Sequence, residues 1–357
     1  MSKTTFIIGA GVSGLSVALQ LIDRGFSVGL LERGTSGAES SWAGGGILSP
    51  LLPWDYSTPV NKLALRSAAA YLEWIQRIER YSGLQAEYWQ CGMNVLDTSQ
   101  NDIERASRWC HESSLPFEIN RSTIRLPSTA QVRNPRLLAA AKESILQQGG
   151  KIFENSKEIN LHVHNRQVTD LTVDGVKYPA KDIVIATGAW AGLPLAGVAP
   201  APHIRPIRGQ MLLFKLEPGY LTTVLYRHGL YLIPRLDGHV LAGSTLEDAG
   251  FDKSIDPPTR AHLHQEACKI LPELSGCPVV HHWSGLRPGA PDNTPLIDRH
   301  PDFDNLFINV GHYRYGVTMA PASAELLADL MEGKTPALDP TPYSWAAAEK
   351  RRWTNRL

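Results

Sequence analysis

Gly9, Gly11 and Gly14 stand in the spacing G-x-G-x-x-G directly after the apolar run Thr5-Phe6-Ile7-Ile8, and Glu32 closes a second apolar run, Ser27-Val28-Gly29-Leu30-Leu31. Residues of these types at these separations bind a dinucleotide. Gly9 permits a tight turn out of a buried strand, Gly11 lets backbone approach a pyrophosphate, and Gly14 lets the next helix pack close on the strand. The N-terminus of that helix presents unpaired N–H groups and a positive dipole end to the phosphates. Glu32 is placed to accept hydrogen bonds from ribose hydroxyls, which suits an unphosphorylated ribose and disfavours NADP. A glycine-rich turn alone can be mere packing. Here strand, glycines, helix and acid occur together, which favours the binding site.

The elements that must hold such a site are legible along the chain. Ser40-Ser41-Trp42-Ala43-Gly44-Gly45-Gly46 has neither helical nor strand period. A stretch so rich in glycine either lies with its backbone against a flat or charged ligand or serves as a flexible linker. Apolar residues recur at helical spacing from Val60 to Ser82, ahead of Gly83, and further helices are predicted over Asn101–Ser113 and Asn134–Gln148. The latter precedes a returning strand at Lys151-Ile152-Phe153. Asp182-Ile183-Val184-Ile185 reads as a strand that breaks at Thr187-Gly188, ahead of Trp190. In an open α/β sheet such an end delivers backbone to the ligand crevice. After Ile204 the texture changes to alternating strands, Gln210–Lys215, Leu230–Arg235 and His239–Gly243, with Asp237-Gly238 as a hairpin turn. The chain returns through the strand Asn305–Val310 into Gly311, and a helix from Val317 to Met331 ends at Gly333.

Composition bounds what such a chain can do. Its 357 residues suit two domains rather than one core. The 35 Lys and Arg balance the 35 Asp and Glu, so no global field draws in nucleic acid or an anionic membrane, and small molecules are the expected partners. No apolar run reaches the ~18 residues of a membrane span. Gly9, Gly11 and Gly14 interrupt the N-terminal apolar stretch, Gln20 and Asp23 follow, and a secretory signal is not expected; the cytoplasm is. Cys91, Cys110, Cys268 and Cys277 form no C-x-x-C pair and no zinc spacing, so no metal site is expected and the thiols read as reduced and structural.

The glycine turn, Glu32, the Ser40–Gly46 segment, Ala186-Thr187-Gly188-Ala189-Trp190, Gly285-Leu286-Arg287-Pro288 and Gly311-His312-Tyr313-Arg314-Tyr315-Gly316 appear in that order. Over essentially its whole length the chain resembles the FAD-dependent D-amino-acid oxidase superfamily, and within it the glycine oxidases of thiamine biosynthesis. The resemblance implies an α/β fold, with an FAD-binding Rossmann-like domain (residues 1–82, 134–203 and 285–357) and an inserted antiparallel-sheet substrate domain (residues 83–133 and 204–284). It implies FAD held by Gly9, Gly11, Val12, Ser13, Gly14, Glu32, Arg33, Ser40, Ser41, Ala43, Gly44, Gly45, Gly46, Thr187, Gly188, Trp190, His312, Tyr313, Arg314, Tyr315, Gly316 and Val317. Relatives with a covalent flavin use a cysteine near the last of these segments; none of the four lies there, so a non-covalent flavin is expected. A homo-oligomer, dimer or tetramer, is implied as well.

By the same resemblance Arg287, between Gly285 and Pro288, grips a substrate carboxylate with its bidentate fork. The other reading of Arg287 is a structural ion pair with Asp292 or Asp298. Tyr231 matches a second carboxylate ligand, Tyr226 an aromatic that lines the pocket, and Leu246 an apolar wall. Without the resemblance either tyrosine serves equally well in packing. Arg314 matches a residue whose backbone carbonyl meets the substrate amine. His312 is adjacent to the flavin, and a hydride mechanism requires no base on the α-carbon, so orientation is its expected role. The reaction implied is oxidation of glycine and small relatives such as sarcosine and D-alanine by dioxygen. A dehydrogenase that passes electrons to a quinone or another carrier shares the same clamp. A flavin-binding module without turnover has no need of one.

Overall fold

The computed structural model describes residues 4–49, 52–193, 198 and 201–353. β1 (Thr4–Ile8), α1 (Val12–Asp23) and β2 (Val28–Leu31) form the opening βαβ unit, with Ile7 beside Leu30 and Ile8 beside Leu31 in parallel register. Phe6–Ile8 and all of β2 are buried, as expected of parallel strands covered on both faces. The Ser40–Ala43 part of the small-residue loop is one helical turn, α2, in which the Trp42 and Ala43 amides donate to the Glu39 carbonyl. Four residues are too few to leave a periodic trace in a sequence. α3 (Thr58–Ser82) follows and ends at Gly83 in the left-handed region.

The chain then makes β3 (Met93–Val95), α4 (Gln100–Glu112), β4 (Glu118–Asn120) and β5 (Thr123–Leu126), and returns through α5 (Asn134–Gln147) to β6 (Lys151–Phe153). β7 (Ile159–His164) and β8 (Gln167–Val173) form a hairpin that leans on β9 (Val176–Ile185). β10 (Arg205–Lys215), β11 (Val224–Arg227), β12 (Leu230–Pro234) and β13 (His239–Gly243) precede α6 (Pro257–Ile270) and β14 (His281–Gly289). β15 (Leu296–Arg299), β16 (Leu306–Val310), α7 (Gly316–Glu332) and α8 (Trp345–Lys350) complete the fold.

These strands form two sheets. The first runs β15-β16-β9-β1-β2-β6, parallel except at the β15 edge. The second runs β14-β10-β13-β12-β11-β3-β5-β4, antiparallel except where β11 meets β3. α1, α3, α5 and α7 bury their apolar faces together against the first sheet, through residues such as Leu15, Leu63, Leu137 and Met319. A separate apolar cluster under β10–β13 includes Phe214, Leu232 and Leu263 of α6. β14 runs through Gly289, so Arg287 stands on the antiparallel sheet and not beside the strands that follow it in sequence.

The consequence for a site is geometric. β1, β9 and β16 lie side by side, and each leads at its carboxyl end into glycine, at Gly9, Gly188 and Gly311. Ligands of open α/β sheets bind outside such ends. Among the described residues, no helix is long and apolar enough to cross a membrane, and no group of three or more His, Cys, Asp or Glu could hold a metal ion.

Candidate active site

A cleft of about 1330 Å³, including its open mouth, is lined from both sheets. At one end it meets the glycine turn. Gly9 has φ +104°, and a Cβ there would lie 2.5 Å from the Ala186 carbonyl oxygen, while a Cβ on Gly14 would run into the carbonyl of Gly9. Both glycines therefore fit turn to helix and stand behind the cleft, whereas Gly11, Val12 and Ser13 line it. α1 follows Gly11, which as N-cap brings no side chain of its own, and no acid lies in its first turn, so apart from the Val12 amide its positive end is open to an anion. Ser41 Oγ accepts from the Val12 amide at 2.9 Å, and Ser13 Oγ donates to the Asn309 carbonyl at 2.9 Å.

Glu32 is held by the amides of Ala10 and Gly34, each at 2.9 Å. The remaining lone pairs of this carboxylate are available to hydroxyl donors. Arg33 lies 4.5 Å over the ring of Trp190, which stacks on Phe251. Glu32, Arg33, Thr187 and Trp190 do not line the cleft; Gly188, beside them, does.

The middle of the cleft lies between Ser40–Gly46 and His312–Val317. The first segment is tied down from several sides. Asn134 Nδ2 donates to the Ser41 carbonyl at 2.7 Å, Trp283 Nε1 to Ala43 at 3.0 Å, and Arg235 Nη2 to Gly45 at 2.9 Å. A Cβ on Gly45 would sit 2.5 Å from Ile233 Cδ1, so backbone and sheet approach closely there. Ser40 Oγ donates to the carbonyl of Leu286, the residue before Arg287. In the second segment His312 is 3% exposed and its Nε2 lies 3.0 Å from Ser323 Oγ. Burial pushes its pKa down to about 4, so the ring is neutral at neutral pH. A neutral ring spent on Ser323 fits orientation and not proton abstraction.

Arg287 reaches across β10, and Gly209 makes that possible. In the ladder Gly209 faces Gly285 and Ile207 faces Arg287, and a Cβ on Gly209 would overlap the guanidinium. Nη1 donates to the Thr245 carbonyl at 3.1 Å and Nη2 to Ser244 Oγ at 2.5 Å. Tyr231 Oη donates to the same Ser244 oxygen at 3.1 Å. The alternative ion pair is not formed: Asp298 accepts from the amides of Arg299 and Trp345, and no salt bridge of Arg287 occurs among the described residues. Leu246 lines the cleft. Tyr226 sits directly across the ladder from Tyr231 and packs with it against the apolar cluster of Met93, Met211 and Ile233, but it is not among the residues that line the cleft. Arg314 lines it.

Sequence reasoning passed over Gly209, Ser244, Asn134 and Asn309. Gly209 did carry a signal, since an isolated glycine inside a strand pattern marks a close approach. So did Asn309, the polar residue in the buried strand Leu306–Val310. Both amide atoms of Asn309 and Oδ1 of Asn134 are buried without a hydrogen-bond partner, and both residues line the cleft. Orphaned polar atoms of this kind, facing a glycine cradle at an open helix N-terminus, fit the carbonyls, amides and phosphates of a flavin dinucleotide.

Residues 4–330 match the model of the FAD dependent oxidoreductase family. The chain belongs to that family. It is 39% identical to the glycine oxidase of Pseudomonas aeruginosa, over 96% of this chain and 99% of that one. It is 38% identical to that of Pseudomonas putida, over 96% and 98%. The crystal structure of glycine oxidase from Geobacillus kaustophilus superposes with a TM-score of 0.89 at 26% identity, covering 96% of this chain and 98% of that one. FAD is therefore the cofactor, and residues of Gly11–Ser13, Ser40–Gly46 and His312–Val317 line the cleft that both sheets share.

Proposed function

We propose that this FAD-dependent oxidoreductase oxidises glycine and small relatives, sarcosine and D-alanine, with dioxygen, giving an oxo acid, ammonia or the amine, and hydrogen peroxide. The observation that carries the reading is Arg287: a guanidinium without an acidic partner, held over Gly209 and facing the cleft beside Tyr231. Its remaining N–H groups suit the two oxygens of an α-carboxylate, and the Tyr231 hydroxyl adds a further donor. The backbone carbonyl of Arg314 takes the amine. The chemistry that FAD supplies when bound is acceptance of a hydride and return of the electrons to dioxygen.

The chain's own contribution is placement. Clamp and amine acceptor fix two directions at the α-carbon, and the cofactor face fixes a third, so only one enantiomer of a substituted substrate points its α-hydrogen at the cofactor. Orientation of this kind is worth ~7–11 kcal/mol in well-aligned cases. Tyr231 and Leu246 wall the substrate end, and each extra methylene fitted against such a wall changes discrimination by ~1–3 kcal/mol. The preference is therefore for small side chains. Water then hydrolyses the released imine.

The test is peroxide formation from glycine, sarcosine, D-alanine, L-alanine and D-phenylalanine at equal concentrations. Activity on the first three, with D-phenylalanine poor and L-alanine inert, is expected. Strong turnover of L-alanine with none of glycine or D-alanine would sink the assignment. Bleaching of the flavin colour by glycine without peroxide in air would move it to a dehydrogenase.

A further inference from the structure

The residues that line the cleft include two guanidinium groups, Arg287 and Arg314, and no aspartate or glutamate. Arg287 is accounted for by the α-carboxylate, on the reading of the preceding section. The phosphates of the cofactor belong at the other end, over Gly11–Ser13. Arg314 has no such assignment. Its Nε is buried without a hydrogen-bond partner, and its Cζ lies 5.2 Å from the ring of Tyr313. Burial opposes its charge, and the phenols of Tyr56, Tyr315, Tyr313 and Tyr226 are the groups that act on it. Tyr56 and Tyr315 meet edge to face at 4.9 Å and close that side. Among the described residues no carboxylate lies within ion-pair distance of Arg314; Asp55, next in sequence to Tyr56, is taken by Arg105 at 2.5 Å.

A planar cation walled by aromatic rings, buried at its Nε and open to a cleft, is a site for an anion. We infer that Arg314 receives a second acidic group carried by the substrate, so that the enzyme favours amino acids with a second carboxylate over their neutral isosteres. This rests on the reading of Arg287 as the α-carboxylate site. It also separates two roles at one residue: the backbone carbonyl meets the amine, and the side chain selects the substituent. D-Asparagine and D-aspartate have the same shape, so the Leu246 wall treats them alike and only the charge distinguishes them.

Two measurements on the FAD-loaded enzyme test it. The first is the ratio of kcat/KM for D-aspartate over D-asparagine, with glycine as reference. The second is the affinity of malonate relative to acetate, neither of which can be oxidised, read from the perturbation of the flavin absorption band. In the native protein each ratio should favour the diacid by ~10-fold or more, the scale of a close charge pair. Arg314→Met, which keeps the backbone carbonyl, should bring both ratios close to one, and Arg314→Lys should restore part of the malonate preference. Unchanged ratios in Arg314→Met would overturn the inference, as would a loss of FAD affinity with the selectivity intact. Failure of glycine turnover with the malonate preference present and dependent on Arg314 would instead overturn the assigned reaction and leave the anion site standing.

Discussion

Arg287 and Tyr231 donate to one and the same oxygen, Ser244 Oγ, at 2.5 Å and 3.1 Å. The two arms of the proposed carboxylate clamp are thus set by a shared acceptor just after β13, a residue with no evident chemistry in sequence. Ser244→Ala removes that acceptor from both and should cost about 1–3 kcal/mol in kcat/KM, the usual penalty for a buried donor left unmet. The loss should fall mainly on KM for glycine, and Ser244→Thr should recover most of it. Arg287→Ala should cost more, about 2–5 kcal/mol, and Arg287→Lys should remain poor because an ammonium cannot form the fork. Steady-state kinetics with glycine check all four variants.

Gly209→Ala probes the same clamp without touching any of its polar groups. Its Cβ would occupy the space of the Arg287 guanidinium. The expected result is a loss of about 1–3 kcal/mol in kcat/KM, the scale of an overpacked site, with FAD retained. Flavin content by absorbance distinguishes this from unfolding.

At the other end of the cleft, Gly11→Val places a branched side chain at the turn proposed to hold the pyrophosphate, where even a Cβ would lie 3.1 Å from Ser41 Oγ. The purified variant should be colourless. In the native protein no cysteine lines the cleft, so acid precipitation should leave the flavin in the supernatant. Colour kept in the pellet would show a covalent link.

His312 predicts an acid-side loss of stability. Its folded pKa is depressed to about 4 from an ordinary 6.5 because burial disfavours the charged ring. Above 6.5 the ring is neutral in both states and its contribution is complete. As the pH falls below that value the unfolded chain takes up a proton that the folded one refuses, and stability drops until the folded ring protonates near 4. The total is about 3 kcal/mol at most. Urea midpoints between pH 7 and pH 4 should fall more steeply for the native protein than for His312→Gln, which lacks the titration.

Much of this site was legible in sequence because its signals are local. The turn Gly9–Gly14, the strands that run apolar into glycine and the long periodicity of α3 each fit within one window. The features that went unread depend on contacts between distant segments. Ser244 matters only because β13 lies one strand from β10 and two from β14, and Gly209 only because β14 sends an arginine across it. The hairpin β7–β8 was hidden by its polarity, since Leu161, Val168, Leu171 and Val173 are its buried residues, Ile159, Asp170 and Thr172 are half-buried and the rest face solvent. Tyr226 is in direct register with Tyr231 and packs in the same apolar cluster, yet only Tyr231 is among the residues that line the cleft.

The order of strands in the first sheet also dictates when the cofactor cradle can exist. Ile8 pairs with Ile185, and Ile185 with Ile308, so the sheet's centre is stitched from the beginning, middle and late parts of the chain. On a ribosome that releases the N-terminus first, β1 and β2 emerge as an apolar ribbon with an open edge and stay so until β9 arrives. β9 in turn keeps a bare edge until β16 appears. Unpaired edges of this kind invite wrong partners. A nascent chain stopped before Leu306 therefore carries the whole glycine fingerprint and still lacks Asn309 and the Gly311–Thr318 wall of the same cleft, which is complete as a ligand site only once nearly the entire polypeptide has been made.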